Sequence, residues 1–122
     1  MTADGGCLCG AVRYEVRGEL RGVIVCHCVE CLRWCGAPFA ATAARRGELV
    51  VQGDELEWVP SPASERNARR GFCRACGSSL FWDAPGAETV SIGAGTLDDA
   101  TGLDVIRHVF EHQAPRWDGW RG

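Results

Sequence analysis

Apolar positions in this chain come in short runs of period two, each cut off by glycine, proline or a polar pair. Ala11 to Val16 alternates small or apolar residues with polar ones and reads as a half-buried strand. Arg17-Gly18-Glu19 turns the chain, and Gly22-Val23-Ile24-Val25 is a fully apolar strand that runs straight into Cys26. Residues 29–35 have room for one turn of helix before Gly36-Ala37-Pro38 stops it. Extended runs follow at 39–44, 48–53, 56–59, 80–82, 89–93 and 105–110. Ser64 to Arg70 reads as a loop or as the start of a strand that carries Phe72 into Cys73. Turn signals recur throughout and no long amphipathic helix appears. The pattern predicts an all-β fold of roughly seven to nine short strands.

The length of 122 residues suits one domain, residues 1–122, with a modest core. No apolar run approaches the roughly 18 residues of a membrane-spanning helix. The first six residues, Met1 to Gly6, lack the basic and apolar pattern of a signal peptide, so a cytoplasmic protein is expected. A net charge of −3 argues against nucleic acid as a partner, because phosphate binding depends on clustered basic charge. All 13 basic residues are arginine, which removes lysine Schiff-base chemistry and any lysine general base.

The eight cysteines change the picture most. They occur as Cys7-x-Cys9, Cys26-x-Cys28-x-x-Cys31 with Cys35 beyond, and Cys73-x-x-Cys76. In a cytosolic chain such spacings point to metal ligation, and pairs so close in sequence are poor disulfide partners. Cys7 and Cys9 lie on the same side of an extended segment, with Gly10 permitting a turn. Cys73-Arg74-Ala75-Cys76-Gly77 is a metal knuckle. Pairing Cys7 and Cys9 with Cys73 and Cys76 makes a four-thiolate shell from distant segments, the arrangement of a structural zinc site. The inner Cys26, Cys28 and Cys31 supply three more ligands. Cys35 closes that second site into an inert one, or an iron–sulfur centre, or else a substrate or water takes the open position.

Other residues have simpler readings beside the chemical ones. His27 sits between two ligands and points away from their metal as a hydrogen-bonded packing residue. His108 lies in an apolar strand, either as a satisfied core histidine or as a proton-transfer group near the metal. His112 is read as a surface residue. Arg33, Arg74 and Arg107 are candidates to offset thiolate charge or to hold a substrate carboxylate. Asp98-Asp99 reads as a turn with side-chain caps, and the tail holds Trp117 and Trp120.

Taken together, Gly5 to Tyr14, Cys26-His27-Cys28 through Cys31, Gly36 to Phe39, Phe72 to Leu80, Gly95 to Asp99, His108-Val109-Phe110 and Ala114-Pro115 resemble the glutathione-dependent formaldehyde-activating (GFA) family, which includes the centromere protein V group. The resemblance covers almost the whole chain, in family order. It implies a β-tent fold of short antiparallel strands with two zinc ions per chain, the second one labile. By position, Cys7, Cys9, Cys73 and Cys76 match the structural zinc ligands, and Cys26, Cys28 and Cys31 match those of the catalytic zinc. The implied activity is that of a carbon–sulfur lyase, similar to S-(hydroxymethyl)glutathione synthase, which adds a thiol such as glutathione reversibly to formaldehyde. Cys35 stands where members usually have serine or another small residue. The alternative function is a zinc-stabilised binding module without chemistry.

Overall fold

Ten short strands and one short helix follow one another in the computed structural model, which describes residues 2–99 and 102–119. In chain order they are β1 (Ala3–Gly6), β2 (Arg13–Val16), β3 (Val23–Cys26), α1 (Val29–Cys35), β4 (Phe39–Arg45) and β5 (Leu49–Gln52). There follow β6 (Leu56–Pro60), β7 (Arg69–Cys73), β8 (Ser79–Asp83), β9 (Thr89–Gly93) and β10 (Val105–Val109). They pair into a three-stranded sheet, β1-β2-β5, and a seven-stranded sheet, β10-β3-β4-β9-β8-β7-β6. Among the described residues, no helix is long and apolar enough to cross a membrane.

The all-β expectation holds, with more strands than the pattern alone suggested. The addition is β1, whose Ala-Asp-Gly-Gly sequence carries no hydrophobic alternation and pairs only because β2 offers it a partner. The ambiguous run before Cys73 is extended from Arg69. Residues 29–35 form a seven-residue helix rather than a single turn, ended by Gly36 at φ 74°. Nine of the ten strands make only antiparallel pairs within the large and small sheets or serve as the partner of the exception: β10 runs parallel to β3. A parallel partner requires a crossover connection, and the chain between β9 and β10 supplies one by passing to the opposite edge of β3. Trp120 lies outside the described residues.

Alternation decides what each face of the large sheet meets. Ala44, Val90, Ile92 and Phe81 point from one face into the main core, where they meet Val12, Tyr14 and Val16 beneath the three-stranded sheet. The Tyr14 ring meets Phe81 edge-on at 5.4 Å between centroids. Its hydroxyl donates to Thr96 Oγ1 at 2.7 Å, because the Thr96 hydroxyl itself donates to the Gly93 carbonyl. Gly5, opposite Tyr14 on β1, has to be glycine: a Cβ there would lie 2.3 Å from the tyrosine oxygen. Asp98 is not a local cap as the turn reading expected. Its carboxylate pairs with Arg13 on β2.

The other face of the large sheet carries Ile24 and Cys26 of β3, Phe39 and Ala41 of β4, Ser91 of β9 and Trp82 of β8. Buried on both sides, β4 reads Phe-Ala-Ala-Thr-Ala-Ala, a run without charge, as a strand covered on both faces requires. Here α1 packs, through Cys31 and Trp34, against Phe39.

Candidate functional site

Each outer cysteine pair sits on a bend that a glycine makes possible. Gly10 and Gly77 both adopt φ 83°, a left-handed conformation that glycine enters without strain. The bends close through Gly10 N–H to the Cys7 carbonyl at 3.2 Å and Gly77 N–H to the Cys73 carbonyl at 2.6 Å. Val12 N–H donates to Cys7 Sγ at 3.2 Å. Ser78 laces the two bends together, its hydroxyl accepting from Leu8 N–H at 2.9 Å and donating to Cys76 Sγ at 3.2 Å. That hydrogen bond is the largest influence holding the Cys76 thiol down to about 5.

The four sulfurs of Cys7, Cys9, Cys73 and Cys76 lie within 4.8 Å of one another. Cys7 and Cys9 are 3.6 Å apart, and Cys9 and Cys73 3.8 Å. Four sulfurs at about 2.3 Å from a tetrahedral ion are about 3.8 Å from each other, whereas a disulfide requires about 2.05 Å. The donor set therefore fits a metal ion, and all eight cysteines are free thiols.

The inner three converge from three different pieces of backbone. Cys26 ends β3, Cys28 is the N-cap of α1 in an extended conformation, and Cys31 lies in the first helical turn. Cys28 Sγ caps the helix by accepting Cys31 N–H at 3.3 Å. These sulfurs also lie within 4.8 Å of one another, and all three line one cavity of about 880 Å³. The Cys31 thiol is lowered to about 6, mainly by its hydrogen bond with Cys26 and further by Arg70, while the same bond and burial push Cys26 up. Cys31 is thus more readily ionised than Cys26.

Cys35 falls outside this three-sulfur group. The cluster sits at the N-terminal end of α1, and one further turn carries a side chain about 5.4 Å along the axis. Burial instead pushes the Cys35 thiol up to about 11. Three donors with one side open to a cavity can hold an ion and leave a coordination position for an exchangeable ligand.

One buried arginine serves the cluster, and it is none of those singled out from the sequence. Register on β7 places Arg70 opposite Trp82, on the cavity face, and sends Arg69 to the other face, where its Nε meets Asp83 Oδ2 at 2.9 Å. Arg70 is 5% exposed; it donates to Ser61 Oγ at 3.0 Å and Cys31 Sγ at 3.5 Å, and its guanidinium lies 5.1 Å from the Trp34 ring centroid. Ser61 donates in turn to Glu30, whose second oxygen accepts Ala63 N–H at 2.7 Å. The Ser61 hydrogen bond, ahead of Ala63 and Arg70, holds the Glu30 carboxyl below the usual carboxylate range.

Three thiolates around a divalent ion leave one negative charge in excess, and Arg70 is placed to offset it. Arg33, by contrast, is exposed on α1. Arg74 pairs with Glu55 at 2.8 Å, and Arg107 does line the cavity. Only the alternation running back from Cys73 through Phe72 and Gly71 distinguishes Arg70 from Arg69 in the sequence. Arg70→Met keeps the apolar stem but strands the Cys31 and Ser61 acceptors, and it is expected to lower stability by about 1–3 kcal/mol. Urea denaturation measures this; a loss under about 0.5 kcal/mol, typical of a surface position, would show that the network contributes nothing.

The histidines lie behind the cluster. His27 is 2% exposed; its Nδ1 meets Asp118 Oδ2 at 2.6 Å and its Nε2 meets His108 Nδ1 at 2.8 Å. Asp118, in a short turn near the end of the chain, was not singled out from the sequence because nothing local marks it. His108, read from the sequence either as a satisfied core histidine or as a proton-transfer group, is not among the residues that line the cavity. It pairs with Val25 in the β10–β3 register, whereas Arg107 and Val109, on the cavity side, pair with Ile24 and Cys26. Strand alternation turns His108 away from the reacting space and onto His27. Of the tryptophans, Trp82 lines the cavity and Trp117 is exposed. His112 is exposed, as expected.

Comparison with known proteins gives the chain a family and a structural neighbour. Residues 2–113 match the model of a family described as glutathione-dependent formaldehyde-activating enzyme. A protein of Schizosaccharomyces pombe named as an uncharacterized lyase is 35% identical over 79 residues, covering 65% of this chain and 56% of that protein. The match thus spans little more than half of the yeast relative's length. A crystal structure of a Rhodobacter sphaeroides protein superposes with a TM-score of 0.67 at 28% identity, covering 87% of this chain and 99% of the other.

Proposed function

Because the chain belongs to the glutathione-dependent formaldehyde-activating enzyme family, we propose that it is a zinc-dependent carbon–sulfur lyase, joining a thiol such as glutathione reversibly to formaldehyde or another small aldehyde. The observation that carries the reading is the three-thiol cluster of Cys26, Cys28 and Cys31, open to the cavity, with Cys35 outside it. The name of the yeast relative points the same way.

In this reading Cys7, Cys9, Cys73 and Cys76 hold a structural zinc, and Cys26, Cys28 and Cys31 hold a second, exchangeable one. When bound there, zinc offers an open position for a substrate thiolate and keeps that sulfur deprotonated near neutral pH. A trithiolate shell is electron-rich, so presenting a thiolate suits it better than generating hydroxide. Arg70 offsets the charge of the shell. Glu30 and Ser61, fixed to each other, hold the 61–63 loop over the cavity. The substrate sulfur adds to the aldehyde carbon, the carbon–oxygen π pair moves onto oxygen, and the proton lost by the thiol ends on that oxygen. The product is an S-hydroxymethyl adduct, and the reverse reaction breaks the carbon–sulfur bond. His108 acts in this scheme as a positioning residue, through His27, for the strand end that carries Cys26 and Cys28.

Exchange between glutathione and carbon-13 formaldehyde, followed by NMR with and without the zinc-loaded protein, tests the proposal. Acceleration of at least about tenfold is expected, far below the span enzymes reach. Exchange no faster than the protein-free reaction would leave a zinc-stabilised binding module as the function.

A further inference from the structure

The cavity is lined by four arginines, Arg21, Arg66, Arg70 and Arg107, against two glutamates, Glu30 and Glu65. Arg70 and Glu30 belong to one network, and Arg66 lies over the Trp82 ring. Arg21 and Arg107 remain. Among the described residues neither takes part in a salt bridge. Arg21 is half-buried and is held in place by its own donors, Nε to the Gly22 carbonyl at 3.1 Å and Nη2 to the Ala41 carbonyl at 3.0 Å. Burial first, and then the charge of Arg107, act against its positive charge. Arg21 and Arg107 thus put two like charges, neither salt-bridged among the described residues, on one cavity, an arrangement that an anion relieves.

Register sets how far that anion sits from the three thiols. Arg107 pairs with Ile24, and Arg21 is anchored at Ala41, which also pairs with Ile24. Ile24 and Cys26 are two residues apart on the same face of β3, hence about 6–7 Å along the strand. A molecule whose sulfur rests at Cys26, Cys28 and Cys31 would carry its anionic end along β3 toward the two guanidinium groups.

We infer that Arg21 and Arg107 form a carboxylate clamp that selects, for the three-cysteine site, a thiol with a carboxylate several bonds from its sulfur. Guanidinium groups suit this role because their paired N–H donors match the two oxygens of a carboxylate. The inference rests on the proposed thiol chemistry at that site.

Titration of the zinc-loaded protein with 3-mercaptopropionate and with 3-mercapto-1-propanol, which share a chain length and differ in charge, tests the clamp. Wild type is expected to bind the carboxylate thiol roughly 10- to 100-fold more tightly, the range for hydrogen bonds to a charged group. Arg107→Gln, at an exposed position that leaves the fold intact, is expected to reduce that ratio about tenfold while leaving the neutral thiol unaffected; Arg21→Gln is expected to act in the same direction. Equal binding of the two thiols by wild type, absence of binding, or a ratio that survives both substitutions overturns the clamp. Selective binding without thiol–formaldehyde exchange overturns the lyase reading and leaves the clamp standing.

Discussion

Cys73→Ser is expected to abolish cooperative folding. Cys73 is fully buried at the end of β7 and joins a four-sulfur shell whose other half, Cys7 and Cys9, lies between β1 and β2. The shell is therefore a cross-link between the small sheet and the large one. A structural zinc site contributes on the order of 10–16 kcal/mol of apparent binding free energy, against a net stability of about 5–15 kcal/mol for a typical protein. Losing even half of it removes the margin. Circular dichroism on heating, together with metal content, measures the effect. A serine hydroxyl buried in the core is costly in itself, so chelation of the wild-type protein provides the control: it should produce the same unfolded spectrum without any substitution. A Cys73→Ser protein that still melts cooperatively near the wild-type temperature, with its metal retained, would refute the cross-link.

At the inner cluster the expected result is the opposite combination, a native fold without activity. Cys28→Ser removes one of three donors and is expected to lower thiol–formaldehyde exchange by more than about 100-fold, above the 10- to 100-fold that follows loss of a residue outside the coordination shell. Serine preserves the N-cap, since its oxygen accepts the Cys31 N–H as the Cys28 sulfur does, and α1 should persist. Cys35→Ser is the internal comparison. Because Cys35 lies a turn beyond the cluster, this substitution is expected to keep both metal content and exchange rate. Activity retained in Cys28→Ser, or lost together with a metal ion in Cys35→Ser, would mean that the ligands of the site have been assigned wrongly.

The cysteine clusters were legible from spacing because metal ligation leaves its mark locally. Two donors must lie within a few residues on one bend, and glycine must follow where the backbone turns left-handed, as at Gly10 and Gly77. Most strands from β2 to β10 were legible for a similar reason, as alternating or wholly apolar runs, while the stretch before Cys73 was open between loop and strand. β1 was not, because a strand of Ala, Asp and two glycines has no apolar face and is defined by its neighbour alone. The helix after Cys28 was underestimated: its capping group is a thiol, not one of the oxygen-bearing residues that usually mark a helix start.

What the amino-acid order determined by itself was the β architecture, the two sets of sulfur donors and the family resemblance. Each of these depends on residues near one another in the chain or on motifs in a set order. Only the tertiary structure decided which arginine serves the cluster, that Cys35 stands apart, and that His108 turns toward His27. Cys35 stands apart because it lies one helical turn beyond Cys31. The placements of Arg70 and His108 follow instead from the registers of β7 and β10, the parallel pairing of β10 with β3 bringing residues about 80 positions apart into contact. A shift of one residue in either strand would reverse those placements, since every side chain would move to the other face.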